Sequence, residues 1–420
     1  MSGLAQQEEW RVVAETWTAP GRSPIVQRYA GWMSSELDRA HADHPGLVRL
    51  VRAVSLRPAP VLALLAAVSA ALVTATVRPS DAWLFVRAAS AMLGPDFFDV
   101  FADPVLQVGP LFLVGVGLVA RAAEMVGLPP APVVAGVQAG LVAWLGVAVA
   151  AAFARDGGRD PRPAQWAVGG ALVVGGLLTE GVGSGHPEEI ALGLLLAVAA
   201  RAAARGSGVR LGLVIGLATG VKAWGLLGAP LALHGRRVRQ VLLAAGACVL
   251  TVALCYFPFF VWGHVATFSF RWDSADGSSL LRVAAGQLGM SDWGMRVVQG
   301  AAAAGAGALV ARRRRGSPLV VVVTVVAVRL LLDPVRLTYY TGPLVAAVVL
   351  WAWTAQARPG VVTRIVLLAA VPLVVVLPYV LPTPVVDGAA SVLYVVVPLA
   401  VVAAERRAPA PSASGSPTAP

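Results

Sequence analysis

A carboxylate and a few cations stand in this chain where its apolar surroundings give them no obvious partner. The stretch "VRPSDAWLFVRAASAMLGPDFF" sets Asp81 just beyond a long apolar run. A carboxylate there has the chemistry of a general base, able to take a proton from a hydroxyl. Asp81, or Ser80 beside it, would equally serve as the N-cap of a helix over 82–93. Lys222 is the only lysine of the chain and interrupts the apolar run 209–234 as "GVKAWG". A charge within a membrane segment costs roughly 2.5–3.5 kcal/mol, so Lys222 reads as an anion-binding group, with a snorkelling side chain as the alternative. Arg329 precedes Asp333 by four residues, which suits either an ion pair along one helix face or the binding of a phosphate. In "GSGHPEE", His186 precedes Pro187, Glu188 and Glu189. Proline and acids in a first helical turn are ordinary capping chemistry; the same side chains could orient a polar ligand. One histidine with two acids is a poor metal ligand set, so no cofactor is expected and a divalent metal is left open.

The elements that must position these groups are membrane helices. With 57% hydrophobic and 13% charged residues among 420 and a mean hydropathy of +0.74, the apolar residues exceed what a soluble core can hold and must face lipid. A bilayer is crossed by about 20 apolar residues. Runs that approach this are 59–77, 105–127, 131–154, 164–180, 187–204, 209–234, 238–262, 293–311, 317–333, 338–357, 361–381 and 387–404. The expected fold is all-α, a polytopic transmembrane bundle of about 11–13 helices with short helices in its external loops. Its divisions are an N-terminal arm over 1–57, a membrane module over 58–262 with a first external loop at 78–104, an external loop at 263–292, membrane helices over 293–404, and a tail over 405–420 that is linker-like. The arm carries Trp10 and mixed charges, unlike a cleavable signal peptide.

The net charge of +11 reports topology and not nucleic-acid binding. Arg49, Arg52 and Arg57, then Arg201, Arg205 and Arg210, Arg236, Arg237 and Arg239, Arg312 to Arg315, and Arg406 and Arg407 mark loops or tails that the positive-inside rule assigns to the cytoplasm. Both termini are thus expected to be cytoplasmic and the chain to lie in the plasma membrane. The opposite face receives Asp81, Asp96, Asp99, Asp103, Glu180, His186, Glu188, Glu189, Asp273, Asp276, Asp292 and the segment "RLLLDPVRLTYY" with Arg329, Asp333, Arg336, Tyr339 and Tyr340. In the N-terminal half this parity fails if every run crosses once. The run 105–127 is therefore expected to be short or re-entrant, and 209–234 to break into two half-helices at Lys222, a geometry tolerated only where protein or a wet cavity satisfies the freed backbone. Cys248 and Cys255, seven apart, share a helix face and read as packing residues. "AAAAGAGALVA" reads as a small-residue packing face.

Three segments in order resemble the GT-C superfamily of membrane glycosyltransferases, most closely its polyprenyl-phosphate-mannose-dependent mannosyltransferase branch. They are "DAWLFVRAASAMLG" after the first span, "GHPEEIALGLLLAVAA" at a middle helix, and "GLVIGLATGVKAWGLLGAPLAL", with "RLTYYTGPLVAAVVLWAW" a weaker echo. The chain departs from that pattern at Phe85, where a tyrosine is usual, and in "LQVGPL" before the second run. The resemblance implies transfer of a sugar, mannose or another, from a polyprenyl-phosphate donor to a cell-envelope glycan or glycolipid acceptor at the outer face of the bilayer, by inversion. It implies Asp81 as the base, Lys222, Arg329 and Arg336 as cations on the donor phosphate, and Asp103, Gln107, His186, Glu188, Tyr339 and Tyr340 as groups that orient sugar or acceptor. Two other classes stay open: a transporter or flippase of lipid-linked sugars, for which a broken helix with a buried lysine is also suited, and a noncatalytic membrane assembly subunit.

Overall fold

In lipid every backbone polar group must be satisfied within the chain, which leaves helices or a closed barrel. The computed structural model is all-helical, with no strand among the described residues. It describes residues 35–36, 39, 42–234, 237–271, 279–313 and 316–407. Most of the expected arm, Arg236, Asp273, Asp276, Arg314, Arg315 and the tail beyond Arg407 lie outside the described residues. The chain divides into two units, Met1–Pro58 and Ala59–Pro420. In the first, α1 (Pro45–Ser55) is a separate helix. The second is a bundle: α2 (Pro58–Val77), α3 (Ser80–Met92), α4 (Pro110–Met125), α5 (Pro130–Asp156), α6 (Arg162–Val173), α7 (Leu177–Gly183), α8 (Glu188–Ala204), α9 (Gly208–Val221), α10 (Val238–Trp262), α11 (Leu280–Leu288), α12 (Asp292–Ala311), α13 (Leu319–Leu331), α14 (Gly342–Thr354), α15 (Val361–Val380) and α16 (Thr383–Arg407). Among the described residues six segments are long and apolar enough to cross a membrane: α2, α5, α6 together with α7, α10, α15 and α16. The protein is a multi-pass membrane protein. The run 164–180, read as one span, is parted into α6 and α7 at Gly176, whose φ of +83° a side chain would resist.

Helices apolar all round are buried all round. In α13 every residue from Leu319 to Ala327 is buried, and α8 buries Leu192, Leu194, Leu196 and Ala197. The ends of these helices fall into two sets. At one end Asp156, closing α5, accepts hydrogen bonds from Arg201 and Arg205 near the end of α8. Arg159 donates to the carbonyls of Thr354 and Ala355 at the end of α14, and Glu405 near the end of α16 accepts from Ser317 N, ahead of α13. The start of α8 and the end of α13 therefore share the opposite end.

The run 209–234 breaks at Lys222, which is extended (φ −160°, ψ 138°) between α9 and a 3₁₀ segment, Ala223–Leu233. Gly225 packs so closely on the backbone of Ala218 and Thr219 that a Cβ would collide with it, so the 3₁₀ segment folds back along α9. The carbonyls freed at the end of α9 find partners in the protein: Thr219 O accepts from Tyr256 Oη at 2.7 Å and Val221 O from Gly109 N at 2.7 Å. Gly208, Gly212, Gly216 and Gly220, one per turn, press α9 against Gln240, Ala244, Thr251 and Cys255 of α10, with Leu111 also against Gly220. Small residues at this spacing let two membrane helices meet backbone to backbone. A Cβ at Gly212 would run into the Ala244 carbonyl. Gly212→Val is therefore expected to destabilise the protein by about 1–3 kcal/mol or more, read as a lowered midpoint of thermal unfolding in detergent, whereas Gly246→Ala, with open space around it, should leave the midpoint in place.

Candidate active site

Asp81 sits in the first turn of α3, which starts at Ser80 behind the extended Pro79 and has no side-chain cap. The capping role that its position suggested is thus not the one it plays. Its carboxylate reaches across 105 residues of sequence to His186, with Oδ2 2.9 Å from Nε2. Gly185, at φ +81°, allows this approach, because a side chain there would strike Asp81 Cβ and Ala82 N. The imidazole is held by two rings, edge-to-face with Phe85 at 5.3 Å and stacked on Tyr339 at 4.6 Å and 12°.

From His186 the polar contacts continue inward. Nδ1 lies 2.7 Å from Glu188 Oε1, and that same oxygen accepts from Lys222 Nζ at 2.9 Å. Lys222 Nζ is also 2.7 Å from Glu189 Oε1. Glu189 Oε2 is 3.7 Å from Arg329 Nη2, which is 3.8 Å from Asp333 Oδ2. Arg296 Nη1 completes the series, donating to Asp333 Oδ1 at 2.7 Å. Acid and base alternate from Asp81 to Arg296. The inner members are closed off, Glu189 at 0%, Asp333 at 1%, Glu188 at 2% and Arg329 at 4% exposure, while the Asp81 side chain at the head of the series is 44% exposed. Among the described residues that end is the more open one, the Arg296 side chain at the other being 18% exposed.

Local structure favours each sign where it stands. Glu188 and Glu189 occupy the first turn of α8 and Lys222 the C-cap of α9, and helix dipoles stabilise acids at N-termini and cations at C-termini. Arg329 Cζ lies over two rings, 4.5 Å from the Trp224 centroid and 4.7 Å from that of Tyr340, contacts that favour a cation. Its Nη1 has no hydrogen-bond partner among the described residues. The 338–341 turn that carries both tyrosines is anchored by Glu180, which accepts from Thr338 Oγ1 and, at 2.8 Å, from Tyr379 Oη.

The protonation of the outer pair follows. The hydrogen bond from His186 holds the Asp81 carboxyl below its usual range, against the opposing effect of burial. Burial by itself would lower His186, but the neighbouring Glu188 charge and the hydrogen bonds to Asp81 and Glu188 outweigh it and raise the imidazole. With both ring nitrogens on carboxylate oxygens, these shifts favour an imidazolium beside a carboxylate.

Of the residues singled out by sequence, Asp81, His186, Glu188, Lys222, Arg329, Tyr339 and Tyr340 converge here. Asp103, Gln107 and Arg336 make their bonds elsewhere: Asp103 Oδ1 accepts from Val105 N, Gln107 Nε2 donates to the carbonyls of Pro104 and Thr267, and Arg336 donates to Asp387 O and Leu331 O. The i, i+4 pair of Arg329 with Asp333 is present, though Arg296 holds the aspartate more closely. Glu189, Trp224, Arg296 and Glu180 belong to the arrangement without having been assigned to it; two adjacent acids at the start of a buried helix were the one available signal for Glu189. Among the described residues no group of three or more His, Cys, Asp or Glu is placed to hold a metal.

Comparison with known proteins bears on the middle of this site. No curated protein and no solved structure matches the chain. A family model described as Glycosyltransferase family 87 matches residues 109–334. The match takes in His186, Glu188, Glu189, Lys222 and Arg329, and covers more than half of the 420 residues. The chain belongs to glycosyltransferase family 87.

Proposed function

We propose that this glycosyltransferase moves a sugar, mannose or another, from a polyprenyl-phosphate donor to a cell-envelope glycan or glycolipid acceptor. The reaction takes place at the end of the bundle that carries Asp81, on the outer face of the plasma membrane, with both termini in the cytoplasm. The observation that carries the reading is the more open end of the charge series: a half-exposed carboxylate, oriented by the buried His186, at a helix end where a lipid tail can stay in the bilayer. The acceptor oxygen bonds to the anomeric carbon as the bond from that carbon to the phosphate oxygen breaks. The polyprenyl phosphate leaves with the electron pair, and Asp81 takes the hydroxyl proton. Inversion at the anomeric carbon follows from attack opposite the leaving group.

The cations divide between two tasks. Lys222 is already met by Glu188 and Glu189, so its part is to pair with those carboxylates and, through Glu188, to hold His186. Arg329, with Nη1 unbonded but closed off when the site is empty, is the cation that meets the donor phosphate once donor binding opens the series to it, and a charge aimed at a leaving group in a dry site stabilises it strongly. Tyr339 and Tyr340 shape the floor of the site. What supports transfer over transport is that these groups gather at one end of the helices, whereas alternating access needs a site reached from both.

Asp81→Asn retains size and hydrogen bonding but not basicity. It is expected to insert and fold normally while transfer from a polyprenyl-phosphate sugar falls by about 10²–10⁴; near-full activity would remove Asp81 from the role of base. The pH profile gives an independent check. Because His186 keeps Asp81 below its usual range, replacing the imidazolium by a neutral donor in His186→Gln should let the Asp81 pKa rise. The acid limb of kcat/KM, which reports the free enzyme, then moves to higher pH, and an acid limb unmoved or moved to lower pH contradicts the pairing.

A further inference from the structure

The helix that precedes the first span presents a surface that the transferase reading does not use. On α1 the side chains of Leu47, Leu50, Val51 and Val54 are 36% to 61% exposed. At 100° per residue they fall within one sector, and Arg49 and Arg52 fall on the opposite side. Arg49 is exposed, and its Nε donates to Pro45 O. Only Leu56 and Arg57 separate the end of α1 from the start of α2, and α2 is long and apolar enough to cross a membrane. Three residue steps of at most about 3.8 Å each thus tie the last turn of α1 to the level at which α2 enters the bilayer.

We infer that α1 is an interfacial helix that docks on anionic lipid at the leaflet where α2 begins. Its leucines and valines enter the boundary between headgroups and acyl chains, and Arg49, Arg52 and Arg57 meet lipid phosphates. An exposed apolar sector of this kind has no reason to face water. Covalent attachment to a span supplies the surface, and an arginine face supplies the charge complementarity. This is the pattern of a helix lying in the membrane plane, where each arginine near an anionic surface raises binding by roughly fivefold.

The test uses the full-length protein, with Cys248 and Cys255 replaced, in nanodiscs of phosphatidylcholine with or without phosphatidylglycerol. Spin labels are placed singly by Leu50→Cys, Val54→Cys and Arg49→Cys. The expected result is that labels at 50 and 54 collide with oxygen and are shielded from an aqueous nickel chelate, with the reverse at 49. In phosphatidylglycerol nanodiscs, Arg49→Glu with Arg57→Glu should lower the ratio of docked to undocked label at 50 by roughly tenfold or more. Labels at 50 and 54 as open to the nickel chelate as the label at 49 would overturn the inference. So would labels at 50 and 54 shielded from both reagents, which would mean that protein covers the face, or a docked fraction indifferent to phosphatidylglycerol and to the arginines.

Discussion

A buried charge in an apolar surround is tolerable only beside its opposite, and the site end of this bundle is organised by that constraint. Glu188, Glu189, Asp333, Lys222 and Arg329 would each be costly alone among membrane helices. Together with Arg296 and His186 they form one alternating series, in which nearly every charge touches opposite charges from different helices. The start of α8, the break after α9, the end of α13 and the start of α12 meet there because their side chains cannot be left unpaired. Asp81 extends the series to the surface, so the same electrostatics that join the helices also orient its most exposed described carboxylate.

Backbone geometry makes the series possible. Lys222 arrives at Glu188 and Glu189 because α9 stops inside the bundle, and it can stop there because Tyr256 and Gly109 take up its last carbonyls. The four glycines of α9 bring it against α10 closely enough for Tyr256 to reach Thr219 O. Rings do the remaining positioning: Phe85 and Tyr339 fix the imidazole, and Trp224 and Tyr340 fix the guanidinium. The tyrosines come from one short turn, and Glu180 fastens that turn to α15 through Thr338 and Tyr379.

Much of this was legible in the sequence, for a physical reason. Charged residues are so disfavoured in membrane helices that Lys222, Arg329 and the acids after Gly185 stand out by type alone, and the parity of positive loops exposes the run that turns back. The helix break at Lys222 followed from those two signals. What the sequence left open was pairing. Lys222 looked like a cation awaiting a phosphate because its partners lie 33 and 34 residues earlier in the chain, and Glu189 looked like a capping acid because that is what such acids usually are. Asp103, Gln107 and Arg336 drew attention as polar residues at the expected face, yet short-range backbone contacts hold the first two and Arg336 bonds to Asp387 O. The glycine stripe of α9 is present at a strict spacing of four, but the packing face read from the sequence was the small-residue stretch at 301–311.

The central claim, that these buried charges stabilise one another as a set, is tested most directly by a double-mutant cycle on Lys222 and Glu189, read as free energies of unfolding of the purified protein. Lys222→Met leaves two buried carboxylates without their shared cation and should cost about 3–5 kcal/mol. If the series is real, adding Glu189→Gln to that variant removes part of the excess charge, and the double variant loses less than the two single losses added together, by at least about 1 kcal/mol. Losses that simply add would mean that Lys222 and Glu189 do not depend on each other, and the account of the site would fail with them.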